Sequence, residues 1–185
     1  CIIFCVALII EAEAVRPPLK PLDIQTLREM IAGSEMIAIG TVAKVTISKT
    51  LEAPLEIVVI RVNVKPEKIL KGDKTTQTIE IEETYKEFSV EGMGEGVAVK
   101  RAGPAAPVGR YHEGTRIFVF LQSTGGSKKY RPLGSGNHDA YLGVFQITAE
   151  GVNSDRYRFG GDVLEHAASE NGFLHFITSL MRGLQ

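Results

Sequence analysis

The fold is decided by three neighbouring segments, which read SEMIAIGTVAKVTI (residues 34–47), LEIVVIRVNVKPEKILKGD (55–73) and TQTIEIEE (76–83). In each segment apolar and polar residues alternate at period two, and the β-branched residues Ile, Val and Thr are abundant. This pattern is typical of strands in a half-buried sheet. Gly40 interrupts the first segment at a point where a sharply coiled strand would need to bend. The stretch therefore predicts three consecutive strands of a curved sheet.

The alternation also predicts which side chains share a face. In the first strand, one face is expected to carry Ile37, Ile39, Ala43, Val45 and Ile47. The second strand is apolar on both sides, which suits the middle of a barrel, and one of its faces carries Val58, Ile60, Val62 and Val64. Pro66 is expected at a bulge or an edge, because proline cannot donate to a ladder. Ile79 and Ile81 carry the third strand.

Helix signals flank this β-rich region. Asp23 is a candidate N-cap for a short helix over Asp23–Ala32, with Leu22 and Leu27 placed as a hydrophobic staple and Gly33 as a stop. At the other end, apolar residues recur at helical spacing from Asn171 onward. They predict an amphipathic helix that presents Phe173, Phe176, Ile177, Leu180, Met181 and Leu184.

Further strands are expected downstream of a segment that breaks the pattern. Residues Lys86–Gly114 are rich in Gly, Ala and Pro and predict either a long loop or a loose hairpin, the first candidate region for partner contact. Regular strand patterns then resume at Arg116–Leu121, Lys128–Leu133, Ala140–Thr148 and Val152–Phe159. No second core is expected. The fold class predicted is mainly β: a small, closed or nearly closed Greek-key barrel of five strands, with a short N-terminal and an amphipathic C-terminal helix.

The amino terminus differs from the rest of the chain. CIIFCVALII (1–10) is apolar, and Ala12-x-Ala14 follows at the spacing of a cleavage site, so residues 1–14 are predicted to be a signal-peptide remnant. A run of ten residues spans about 15 Å as a helix, half of a bilayer core. The alternative is a buried edge strand. Residues 15–22 are then predicted to be a Pro-rich linker and residues 23–185 a single barrel domain. The domain is expected to be exported. Removal of the leader would also remove both cysteines, Cys1 and Cys5, and leave no transmembrane anchor.

Three motifs carry a resemblance to a known family. They are SEMIAIGTVAKV (34–45), the long strand ending EKILKGD (67–73), and TIEIEE (78–83), and they resemble the opening of netrin-like domains and tissue inhibitors of metalloproteinases. HEGTRIFVFLQ (112–122) and YLGVFQIT (141–148) are similar to later strands of uncharacterised exported prokaryotic proteins of the same arrangement. The resemblance implies an oligonucleotide/oligosaccharide-binding (OB) type barrel and no defined activity. The inhibitors act through a mature amino-terminal Cys held by disulfides. The present chain has no such framework, so the inhibitory site is not transferred.

Reactive side chains give weak signals. The four histidines are His112, His138, His166 and His175, and neither an HExxH motif nor a Cys ligand set accompanies them. His112 and His138 are the weak candidates for a metal site if they converge at the barrel mouth, and loop or surface histidines are the simpler explanation. Ser135, in Gly134-Ser-Gly136, lacks the context of a nucleophile elbow and is more simply part of a turn. No cofactor is predicted.

Two patches interleave basic and aromatic residues. They are Ser127-Lys-Lys-Tyr-Arg131 and Asp155-Arg-Tyr-Arg-Phe159. Tyr130 and Tyr157 could stack on a ligand while Arg131 and Arg158 meet its charges, and these four residues are the ligand-contact candidates. A solvated strand face is the alternative interpretation. The formal net charge is −1 and Trp is absent, so a nucleic-acid partner is not favoured.

These observations lead to one functional hypothesis and two alternatives. The hypothesis is an exported, non-enzymatic binding or interaction module whose partner is a protein or another extracytoplasmic ligand. The first alternative is a metal-dependent or hydrolytic enzyme with a site formed by His112, Glu113, His138 and Asp139. The second is a nucleic-acid-binding OB barrel.

Overall fold

The computed structural model describes residues 20–52, 55–88, 111–125, 129–133, 143–154 and 157–184. The predicted leader, the interior of the Lys86–Gly114 segment, and Ser135, His138 and Asp139 lie outside these ranges. The strands in the described part are β1 (Lys20–Leu22), β2 (Met36–Glu52), β3 (Leu55–Lys71), β4 (Ile79–Phe88), β5 (Arg116–Ser123), β6 (Lys129–Pro132), β7 (Val144–Thr148), β8 (Gly151–Asn153) and β9 (Tyr157–Phe159). The helices are α1 (Ile24–Gly33), α2 (Gly161–Ala167) and α3 (Glu170–Arg182).

The chain is mainly β, as predicted, and its principal sheet partly closes on itself. Seven strands follow in the order β2-β3-β4-β6-β5-β7-β8, and β2 pairs additionally with β5. The β4–β6 pair is parallel, whereas the other pairs of this sheet are antiparallel. β1 and β9 form a separate parallel pair.

The bend of β2 depends on Gly40. A Cβ atom at this position would lie 2.5 Å from the carbonyl oxygen of Lys65, so the backbones of β2 and β3 come closer there than any side chain allows. The pairing register shifts beside it, where Ile39 is opposite Lys68 but Gly40 is opposite Pro66. The prediction for Pro66 is confirmed, since it lies at an irregularity of the ladder, and Gly40 stands opposite it at the same irregularity.

The predicted face of β2 is wrong in one respect. A further register shift lies between Val42 and Lys44, and a bulge of this kind reverses which side alternate residues point to. Ile37 and Ile39 therefore pack under the helices, while Val45, expected beside them, packs against the cluster inside the curved sheet. The β3 face with Val58, Ile60, Val62 and Val64 is buried as predicted.

Two clusters of buried side chains replace the single core that was expected. One fills the inside of the curved sheet; the other lies between its outer surface and the three helices. β5 separates them, because alternate residues of a strand point to opposite sides. Ile117, Val119 and Leu121 face the first cluster, and Phe118 and Phe120 face the second.

The ends of the chain complete the second cluster. α1 begins as predicted, with the Asp23 carboxylate accepting from the N–H of Thr26 (2.7 Å), and Leu22 and Leu27 are fully buried. The end of the predicted linker is in fact β1, whose partner is β9. The C-terminal helix prediction corresponds to α3, which is capped by Ser169. The short α2 before it was not predicted.

A surface ion-pair network ties α3 to the barrel. The guanidinium of Arg116 donates to Glu67 (2.6 Å) and to Glu170 (2.6 Å), and Thr41 donates to Glu67 (2.6 Å). The bond from Arg116, followed by the bond from Thr41, holds the pKa of Glu67 below its usual range. This network thereby links four elements at one point: β2, β3, β5 and α3.

This network predicts an acid-dependent loss of stability. A carboxylate with a depressed pKa stabilises the fold above its unfolded pKa, and that contribution is lost as the pH falls through the folded pKa. We expect the free energy of unfolding to decrease as the pH falls below about 4.5, with a smaller decrease in Arg116→Leu. Urea titrations at several pH values measure this. Identical pH profiles for wild type and Arg116→Leu would contradict it. Arg158→Leu, at an exposed arginine outside this network, is the control and should keep the wild-type pH profile.

Candidate functional site

The basic and aromatic candidates do not form one surface. Tyr157 is only 3 % exposed and its ring stacks on Phe145 with centroids 6.1 Å apart, so it belongs to the core beneath the helices. Tyr130 is half-buried on a different sheet and packs against the barrel interior. Burial raises the pKa of Tyr130, and Glu35 and Asp73 add to this effect. Tyr157 therefore has no exposed ring on which a ligand could stack, while a contact role for Tyr130 stays a prediction.

Two cations near Tyr130, Lys129 and Arg61, are paired with carboxylates. Lys129 lies 3.6 Å from Glu80 and 3.4 Å from Glu82, and Arg61 lies 2.7 Å from Glu82. The bond from Arg61 is the main cause that lowers the pKa of Glu82. This outer face of the barrel is a ladder of paired charges. Arg131 and Arg158 are exposed, and a ligand-contact role for them stays a prediction.

Of the two histidines considered for a metal site, His112 lies in the described part of the chain and His138 lies outside it. His112 is exposed in the turn before β5, and the carboxylate of its neighbour Glu113 accepts the N–H of Val45 (3.1 Å). The ring of His166 stacks on Phe176 at 4.2 Å. Among the described residues, no three His, Cys, Asp or Glu side chains are grouped so that they could hold a metal ion.

A buried carboxylate lies inside the curved sheet. Glu83 is 3 % exposed, and one of its carboxylate oxygens accepts the hydroxyl of Tyr85 while the other accepts that of Tyr111. Glu83 and Tyr85 are on β4, whereas Tyr111 precedes β5 in the chain. The carboxylate thus fastens the segment leading into β5 to the inner surface of β4. A buried carboxylate of this kind is costly unless it is hydrogen-bonded.

Sequence analysis did not single out Glu83, although a signal existed. Ile79, Ile81, Glu83 and Tyr85 alternate along β4, so Glu83 stands at a position whose neighbours all point inward. A charged residue in that register indicates an internal polar contact, because register places side chains on one face. The identity of its partners is not readable from local sequence, since Tyr111 is remote along the chain.

The same inner face extends beyond the closed part of the sheet. β5 pairs with β2 only as far as Thr41, while β2 continues to Glu52. We call the projecting part of the sheet the arm: residues 43–52 of β2, 55–63 of β3 and 82–88 of β4, which lies beyond the residues of β4 that pair with β6. Directly opposed residues share a face, so Ile47 of β2 lies on the same face as Ile60 and Glu83.

The outer end of this face exposes apolar side chains. Ile47 is 40 % exposed and Leu51 is 54 % exposed. In the described part of the chain, the other exposed large apolar residues, Leu164 and Leu184, lie on or beside the helices. The arm therefore combines the buried, hydrogen-bonded carboxylate of Glu83 at its base with exposed apolar side chains at its tip. Chemically, such a surface suits contact with a polypeptide.

Comparison with known proteins adds no family. No family model, no curated protein and no solved structure matches the chain. Within the described residues, no helix has both the length and the apolar character needed to cross a bilayer.

Proposed function

We propose that this chain is an exported, non-enzymatic interaction module on an OB-type barrel, and that it binds a protein partner through the arm. The observation that carries the proposal is the exposure of Ile47 and Leu51 beside an edge of β2 that no other described strand covers. Exposed strand edges with apolar side chains are surfaces to which extended polypeptides add.

Strand order supports the OB-type barrel. β2, β3 and β4 form a meander, and β5 returns after a long connection to pair with β2. This gives the spatial order β5-β2-β3-β4 of a Greek key. β6 lies between β4 and β5 and completes a ring of five strands, the number found in OB barrels.

Sequence patterns support export and the netrin-like resemblance. Residues 1–14 have the form of a leader that ends in Ala12-x-Ala14, and the motifs over 34–45, 67–73 and 78–83 fall on β2, β3 and β4. The alternatives receive less support. Glu113, a member of the enzyme hypothesis, accepts a hydrogen bond from the backbone of β2, and two cations on the outer face of the sheet, Arg61 and Lys129, are paired with glutamates.

Site-specific photo-crosslinking tests the proposal. With benzoylphenylalanine at Ile47 or Leu51, we expect a covalent protein adduct after irradiation of the full chain in the cells that produce it. Leu164 is the matched control, because it is equally exposed (56 %) but lies on α2. Adducts at both arm positions and none at Leu164 support the proposal. No adduct at either arm position, or equal adducts at all three, would overturn it.

A further inference from the structure

The outward edge of β2 carries hydrogen-bonding groups along the arm. Val42 exchanges hydrogen bonds with Gly114 and Thr115 (both 2.8 Å), so its polar groups point away from β3. After the bulge at Ala43, the N–H of Val45 points the same way and donates to Glu113. Alternate residues of a strand direct their polar groups to the same edge.

It follows that Ile47, Lys49 and Leu51 present their N–H and C=O groups outward along this edge. β3 is the one described strand that pairs with this part of β2, and it lies on the opposite side. Three consecutive positions of the ladder are thus available to a further strand. The side chains at two of them are the exposed apolar residues of the arm.

Two copies of this edge segment have complementary side chains when they pair antiparallel. When two copies of residues 44–52 (KVTISKTLE) run antiparallel about a two-fold axis at Ser48, Lys44 faces Glu52 and Val45 faces Leu51. Thr46 then faces Thr50, and Ile47 faces the aliphatic stem of Lys49. Each of these pairs occurs twice, so the register gains two opposite-charge pairs and two apolar pairs.

Neighbouring registers are less favourable. An axis at Lys49 places two like charges directly opposite each other, which is destabilising. An axis at Ile47 places Lys44 opposite Thr50 and loses both charge pairs. An axis midway between two residues would place each residue whose N–H and C=O groups point outward opposite a residue whose groups point toward β3. No ladder of hydrogen bonds could form in that register. The pattern therefore selects the register with Ser48 at its centre.

We propose that the partner of the arm is a second copy of this chain, joined edge to edge through antiparallel β2 strands with Ser48 at the two-fold axis. This rests on the proposed function, for which it names the partner. A two-fold interface brings the same patch of both copies together. In the single chain the carboxylate of Glu113 accepts the N–H of Val45. In the dimer the carbonyl oxygen of Leu51 from the second copy would accept this N–H, so Glu113 competes with dimer formation.

Charge exchange tests the register. Lys44→Glu and Glu52→Lys each convert two attractive pairs to repulsive ones, and we expect the dimer of either variant to be about tenfold weaker than wild type in sedimentation velocity. An equimolar mixture of the two variants should dimerise again, because the introduced glutamate of one copy then faces the introduced lysine of the other. Glu113→Ala should dimerise more strongly than wild type. Wild-type monomers throughout the concentration series would overturn the proposal.

Cysteine crosslinking tests the axis. In full chains carrying Cys1→Ser and Cys5→Ser, Ser48→Cys should form a disulfide-linked dimer under mild oxidation, since facing Cα atoms in such a pair are about 4.5 Å apart. Thr50→Cys, on the same face but away from the axis, should not. Equal crosslinking of both would overturn the proposed register. If photo-crosslinking at Ile47 and Leu51 captures a different protein and no second copy, this inference fails while the proposed function stands.

Discussion

Glu83→Ala is expected to destabilise the fold by about 3 kcal/mol, the largest effect of any polar substitution suggested by the structure. The substitution removes the acceptor of two buried hydroxyls, those of Tyr85 and Tyr111, and leaves a cavity in the barrel interior. Urea unfolding monitored by circular dichroism measures the change. Glu82→Ala is the matched control on the outer face of the same strand, where loss of a surface ion pair costs about 1 kcal/mol or less.

A rescue experiment separates the polar contact from simple packing. Replacing all members of a buried hydrogen-bonded set with apolar residues of similar shape costs far less than orphaning one member. We therefore expect that replacing the three described members together, as Glu83→Leu, Tyr85→Phe and Tyr111→Phe, recovers part of the loss. If Glu83→Ala unfolded no more easily than Glu82→Ala, the carboxylate would have no structural role.

Gly40→Ala is expected to cost a similar amount, about 3 kcal/mol, through overpacking. The new methyl group would lie 2.5 Å from the carbonyl oxygen of Lys65 and 2.7 Å from a methyl group of Val64. The first contact is with backbone, which moves only if β2 and β3 separate. Thermal and urea unfolding both report this loss.

Gly183→Ala is the control for this substitution. Its Cβ would meet nothing closer than 3.6 Å, and the backbone there is already helical, so we expect a change within about 0.5 kcal/mol. Equal stability of Gly40→Ala and wild type would mean that the two strands are not held at this separation.

The sequence predicted those features that depend on local pattern. α1 follows from Asp23 and the spacing of Leu27 and Ile31, and β3 from an alternation that is uninterrupted over its buried part. The bend at Gly40 was also readable, because glycine inside a strand pattern commonly marks a bulge, a bend or a close approach of two backbones. These features need no knowledge of distant partners.

What could not be predicted depends on contacts between remote segments. The bulge at Ala43 reverses the faces of β2 and leaves no mark in the alternation of side chains. β1 owes its conformation to β9, which lies far along the chain. The exposure of Ile47 is equally unreadable, because it depends on where β5 stops pairing with β2.

The position of β5 as a wall shared by two hydrophobic interiors has a consequence for unfolding. Its five central residues, Ile117 to Leu121, are fully shielded from solvent, and each contributes to one interior or the other. Melting the helical layer would expose Phe118 and Phe120 on one face of β5 and so weaken a strand that also supports the inside of the curved sheet. We therefore expect both clusters to unfold in one cooperative transition, with the amides of β5 among the last to exchange with deuterium.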